Sequence, residues 1–162
     1  MSSHRAAGDN VAGYFHAELG VGEAARAMVS ALEAARCPYV TLPQIAPYSR
    51  QRHPFALSGA DRRWPYDVNL LCVNADMTEA LARAIGARAF INRYTIGYWF
   101  WEVDPLPVTM HGAFDVVDEV WTASEYVAGI LRRASGGRTP VHVVPLPLLP
   151  PPVVPRTRAQ LG

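Results

Sequence analysis

The stretch "DVNLLCVNADMTEALARAIGARAFINRYTIGYWFW", residues 67–101, decides the fold. It opens on an apolar run, "DVNLLCV", short enough for a strand and bounded by turn residues. "TEALARAIG" follows and reads as a short helix with Thr78 as its N-cap. "YTIGYWFW", residues 94–101, is a second strand, rich in aromatic and β-branched side chains. Strand, helix and strand at this spacing form a βαβ unit, whose two strands must run parallel. The runs are nearly continuous in apolar character, as in strands buried on both faces.

The same alternation extends in both directions. Upstream, "NVAGYF" (10–15) reads as a strand, and "HAELGVG" as a glycine-containing loop. A helix is expected from about Gly22 to Arg36, because Ala25, Met28, Leu32 and Ala35 share one face at 3.6 residues per turn. Pro38 stops it, and "YVTL" (39–42) is the next strand. Downstream, a short helix is expected over Pro107–Phe114, a strand at "DEVWTA", and a helix "EYVAGILRRAS" capped by Ser124 and ended by Gly136 and Gly137. "PVHVVP" is a last strand. The predicted class is therefore α/β: a Rossmann-like, doubly wound, mostly parallel sheet of about six strands.

Residues 43–66 have no periodicity and carry Arg50, Arg52, His53, Arg62 and Arg63 against one acid, Asp61. Such a segment greets an anionic acceptor or lies as a solvated surface loop. Residues 1–9 are expected to be a disordered tail and 10–148 the domain. Six of the eleven residues from Pro145 to Pro155 are proline, so 149–162 reads as a proline-rich linker and the start of a further, missing C-terminal domain.

Composition removes several functions. Half of the 162 residues are hydrophobic and 18% are charged, which is globular. The net charge of +1 (15 basic, 14 acidic) lacks the basic excess of a nucleic-acid binder. All the basic residues are arginine, which excludes a Walker-type phosphate loop and a Schiff-base lysine. The five histidines have no metal spacing, so no metal is expected. Cys37 and Cys72 read as buried thiols in a reducing compartment. The polar start "MSSHRAAGDN" does not read as a signal peptide and no stretch reads as a membrane span, so a cytoplasmic location is expected, with peripheral membrane contact left open.

Three places could carry chemistry. In "ELGVGEAAR" (18–26), Gly20, Val21 and Gly22 precede a helix, whose N–H groups and dipole suit a phosphate. Gly20-x-Gly22-x-x-Ala25 also fits a dinucleotide fingerprint. Its glycines lie too far past the strand, however, and Leu42, Pro43 and Gln44 stand where a ribose-binding acid belongs. An ordinary glycine-rich turn is the plain alternative. In "IGYWFWEVDPLP" (96–107), alternation puts Trp99 and Trp101 on one face of the strand and Tyr98, Phe100 and Glu102 on the other. Core packing accounts for the first three rings. Trp101 and Glu102 lie at the exit, where open parallel sheets bind ligands. His16, Asn74, Asp76 and Ser124 follow other strands and face the same edge, with a turn or a cap as the plain alternative for the last three.

"GYFHAELGVGEAARAMVSAL", "IGYWFWEVDPLP", "FDVVDEVWTASEYVAGIL" and "PVHVVPLPL" together resemble the N-terminal half of retaining glycosyltransferases of family 4, which have the GT-B fold. The resemblance runs from about Asn10 to Leu148. It implies an acceptor-side domain facing a second domain that holds a nucleotide-sugar donor, with no permanently bound cofactor. Gly20, Val21 and Gly22 would approach the donor diphosphate. His16, Asn74, Asp76, Trp101 and Ser124 would meet the acceptor, a glycan or a lipid-linked molecule. The family commonly places a histidine at the end of the fourth strand. Trp101 and Glu102 stand there instead, so that role does not carry over, and Glu102 is the candidate for the hydrogen bond to a sugar hydroxyl. The chain alone is expected to be inactive, because the family's glutamate pair and diphosphate-binding basic residues belong to the other domain. The competing readings are an NAD-type dinucleotide-binding domain and a non-catalytic interaction domain.

Overall fold

The computed structural model describes residues 6–45, 48–59 and 64–148. Six strands form one sheet: β1 (Ala6–Gly13), β2 (Tyr39–Pro43), β3 (Tyr66–Cys72), β4 (Tyr94–Tyr98), β5 (Glu119–Thr122) and β6 (Val141–Val143). Their order is β2-β1-β3-β4-β5-β6, and every pairing is parallel. Helices α1 (Gly20–Ala34), α2 (Ala75–Ile85) and α3 (Glu125–Ser135) make the crossovers, with 3-10 segments at Ala87–Ala89 and Val108–Asp115. The fold is α/β, doubly wound and Rossmann-like, as the alternation of strands and helices predicts.

Two cores lie on the two faces of the sheet. One joins Ala12, Leu71, Val73, Trp99 and Val120 to α2, α3 and the Val108–Asp115 segment. The other joins Val11, Leu70, Cys72, Ile96 and Tyr98 to Ala24, Ala25, Met28 and Val29 of α1. Successive residues of each strand thus feed opposite cores, which is why the strands need no polar face. Trp99 and Tyr98 are both fully buried, and truncating either ring to alanine would cost about 3–5 kcal/mol. Trp99 packs edge-on to Phe114, with centroids 5.1 Å apart. Its indole folds back over Gly97, where a Cβ would lie 2.6 Å from Nε1. Gly97 is therefore what lets so large a ring fit beside the strand.

Several expectations are corrected. The sheet begins at Ala6, so residues 6–9 belong to β1 and not to a tail. The cause is non-local: Asn10 Nδ2 donates to the carbonyls of Tyr66 and Val68 and to Asn69 Oδ1, locking the start of β1 onto β3. Helix α2 begins at Ala75, and Thr78 lies inside it, donating its hydroxyl to Asn74 O at 3.0 Å. β4 ends at Tyr98, three residues before the expected Trp101. Cys72 is buried, but Cys37 is exposed. It follows Arg36, whose φ of 57° closes α1, and its own N–H caps the helix at Leu32 O. The irregular segment after β2 is neither free nor merely solvated, since Phe55 and Leu57 pack on the α1-side core and Phe55 stacks on Phe15 at 4.9 Å. Asp61, Arg62 and Arg63 lie outside the described residues, as do residues 1–5 and 149–162, so the proline-rich linker is described only as far as Leu148.

Candidate functional site

Strand order locates the site before any side chain does. From β1 the chain turns to one face, through α1, to reach β2. From β3 it turns to the other face, through α2, to reach β4. The loops leaving β1 and β3 therefore diverge, and a crevice opens between them at the carboxyl ends of the strands, where ligands of such sheets bind.

The crevice has two lobes that share a ridge made by Leu19, Val21 and Asn74. The α1-side lobe, about 370 Å³, is lined by Gly20, Val21, Asn74, Phe100, Glu102 and Leu146. The α2-side lobe, about 240 Å³, is lined by Tyr14, Leu19, Asn74, Asp76 and Met77, with Tyr48 and Ser49 at its edge. Of the residues singled out in the sequence, the crevice thus gathers Gly20, Val21, Asn74, Asp76 and Glu102.

The wall at Gly20 is the start of α1. Leu19 is its extended N-cap and makes no side-chain cap bond, and the first helical bond runs from Glu23 N to Leu19 O at 3.0 Å. The N–H groups of Gly20, Val21 and Gly22 therefore have no acceptor within the helix, and the positive end of the dipole lies at this wall. The two glycines differ in role. A Cβ on Gly20 would meet nothing within 4 Å. A Cβ on Gly22 would lie 2.7 Å from Tyr14 O and 2.8 Å from Ala17 O. Gly22 is buried and lets α1 pack on the loop before it, so it is no ligand-facing glycine. Gly13 acts likewise, since its Cβ would lie 2.7 Å from that of Ala25.

Arg26 fixes the shape of this loop, a role not foreseen from sequence. Its Nη1 donates to Phe15 O at 2.8 Å and Ala17 O at 3.2 Å, while Nε and Nη2 hold the Glu23 carboxylate. All three guanidinium nitrogens thus have partners within the protein. The Glu-x-x-Arg spacing in "GEAAR" was the available signal, because i,i+3 pairs meet on a helix.

Asn74 ties the two strand exits together. It sits at the N-cap of α2 but does not cap the helix with its side chain. Its Oδ1 instead accepts from Phe100 N at 3.0 Å, joining the end of β3 to the exit of β4. That bond fixes the amide orientation and leaves the Nδ2 hydrogens at the ridge between the lobes. Asp76 lies in the first turn of α2, a position that the dipole favours for an acid. Burial first, and the Asp76 charge second, raise the Tyr14 phenol above its ordinary 10.0, so Tyr14 is a neutral hydroxyl. Glu102 is exposed on the far wall beside Phe100. Alternation persists past the end of β4, with Trp101 packed on one core and Phe100 on the other.

His16, Trp101 and Ser124 are not brought into either lobe. His16 Nδ1 contacts His53 O at 3.2 Å, and the backbones of the two residues are bonded at 3.0 Å. Trp101 packs on the α2-side core, where its Nε1 is buried without a hydrogen-bond partner among the described residues. Ser124 Oγ accepts from Val127 N at 3.3 Å and caps α3. The apolar lining (Tyr14, Leu19, Met77, Phe100 and Leu146) was missed, because single apolar residues beside a loop carry no sequence signal. Among the described residues, no basic side chain lines either lobe. No group of three His, Cys, Asp or Glu gathers as a metal site among them, and no helix among the described residues is long and apolar enough to cross a membrane. The chain matches no protein-family model and no curated protein.

Proposed function

We propose that this chain is the acceptor-side half of a retaining glycosyltransferase of the family 4 type, in which a sugar passes from a nucleotide-sugar donor to a glycan or lipid-linked acceptor. The observation that carries the reading is the crevice at the β1/β3 switch point, with the uncapped start of α1 at Gly20 on one wall and Glu102 on the other. The helix start offers N–H donors and positive potential to a diphosphate. Glu102 offers a carboxylate that can accept a hydrogen bond from a sugar hydroxyl. Asn74 offers a donor whose orientation is already fixed.

Donor and acceptor must be held together while charge develops on the leaving diphosphate. Neutralising that charge calls for cations, and the crevice has none among its described residues. In this reading the cations and the grip on the nucleotide come from a second, donor-binding domain, and the chain alone does not turn over. Titration of the 162-residue chain with UDP-sugars, GDP-sugars and NAD, followed by NMR, tests the assignment. Weak, specific shifts with the nucleotide-sugars are expected. Tight NAD binding, or sugar transfer by this chain alone, overturns it.

A further inference from the structure

We infer that the α2-side lobe selects an uncharged acceptor that presents a ring-sized apolar or aromatic group next to its reactive hydroxyl, and rejects anionic acceptors. This rests on the glycosyltransferase reading and specifies the substrate class of its acceptor.

The lobe is lined by Tyr14, Leu19, Val21 and Met77. Leu19 is 41% exposed and Met77 37%, so both present apolar surface to water. Apolar side chains left in contact with water around a concave site gain most when an apolar surface covers them. The polar lining complements a hydroxyl and not an anion. Asp76 is an exposed carboxylate, Asn74 presents amide hydrogens, and Ser49 adds a hydroxyl. A carboxylate accepts from an acceptor's OH and repels a phosphate or a uronate.

The nearby arginines do not reverse this. Arg26 is spent on Phe15 O, Ala17 O and Glu23. The segment carrying Arg50 is held to the β1–α1 loop through its backbone, Glu18 N to Arg50 O at 2.9 Å, and the Arg50 side chain does not line the lobe. The shared ridge of Leu19, Val21 and Asn74 sets the acceptor lobe directly beside the lobe at Gly20 and Glu102. A hydroxyl on the bound acceptor would point across Asn74 toward the donor side.

The chain has four methionines, and Met28 is buried in the α1-side core while Met77 lines the lobe. Methyl labelling of methionine therefore supplies a reporter and an internal control. The full chain would be titrated with phenyl β-glucoside, glucose and glucose 6-phosphate. The expected result is a saturating shift of the Met77 methyl with phenyl β-glucoside and none at Met28. Glucose should bind about tenfold more weakly, the usual scale for losing apolar contact in a pocket, and glucose 6-phosphate more weakly still. Asp76→Asn should narrow the gap between glucose and glucose 6-phosphate. Equal affinities for the three probes, tighter binding of the phosphate, or shifts that miss Met77 would overturn the inference. A nucleoside diphosphate added alone reads the donor side at the Gly20 amide. Loss of that signal with the Met77 response intact refutes the glycosyltransferase reading and leaves the lobe as an apolar-ligand site. The reverse pattern refutes the acceptor class alone.

Discussion

Exchanging the two glycines of the α1 loop for alanine, one at a time, separates packing from ligand access. At Gly22 the new methyl would lie 2.7 Å from Tyr14 O and 2.8 Å from Ala17 O. Ordinary C···O contacts run at about 3.3–3.6 Å, so each must lengthen by about half an ångström. Neither oxygen yields easily. Both are backbone atoms, and the Arg26 guanidinium holds Ala17 O and the neighbouring Phe15 O. Overpacking of this kind costs about 1–3 kcal/mol. Alanine's better helix propensity returns up to about 1 kcal/mol. With rigid neighbours the net loss should be about 2 kcal/mol, a fall in Tm of about 4–8 °C for a chain of this size. At Gly20 the methyl meets nothing within 4 Å, and the same exchange should be neutral or stabilising by up to about 1 kcal/mol. Thermal and urea unfolding followed by far-UV circular dichroism gives both numbers. Equal stability of G22A and G20A would refute the assignment of Gly22 to packing.

Three other outcomes are expected. Asn74→Ala should cost about 1–3 kcal/mol by leaving Phe100 N–H without its acceptor; Asn74→Asp keeps an acceptor and should hold stability while losing ligand affinity, and equal affinity would make Asn74 a brace only. The Asp9 carboxyl is raised above 3.8, first by burial and then by the Asp67 charge, so the folded state binds its proton more tightly than the unfolded state does. The resulting stability is full below 3.8 and is lost as pH rises through the raised value. Asp9→Asn should therefore stabilise the protein at neutral pH and flatten the decline that begins near pH 4, and an unchanged pH profile of urea midpoints would contradict this. Burial pushes the Cys72 thiol up to about 12, so a thiol reagent at pH 8 should label Cys37 alone in the native protein and both cysteines in denaturant; rapid native labelling of Cys72 would show that its core opens.

What was legible in the sequence was local or periodic. The partition of Tyr98 and Phe100 from Trp99 and Trp101 followed from period-two alternation and holds even past the end of β4. The Ser124 cap followed from a preference of a few tenths to two kcal/mol at helix starts. What was not legible depended on distant partners. The start of β1 is set by Asn10 reaching across to β3, fifty-nine residues from Asn69 along the chain. The division of labour between Gly20 and Gly22 depends on where two loop carbonyls happen to lie. Thr78 had the right chemistry for a cap, but the helix starts earlier, at Ala75, after an N-cap residue, Asn74, whose side-chain amide is used elsewhere. At the site, the strand-end rule found the edge of the sheet and most of its polar groups. It did not find the apolar lobe, because nothing in the sequence marks Met77 or Leu19 as facing a crevice rather than the core.

In the proposed function, the crevice between the exits of β1 and β3 receives a nucleotide-sugar at Gly20. A crystal of the chain soaked in a nucleoside-diphosphate sugar tests it most directly. Diphosphate density is expected against the Gly20 and Val21 amides, with the sugar between Asn74 and Glu102. Density running instead toward Gln44 at the end of β2, in the manner of a dinucleotide, would contradict it.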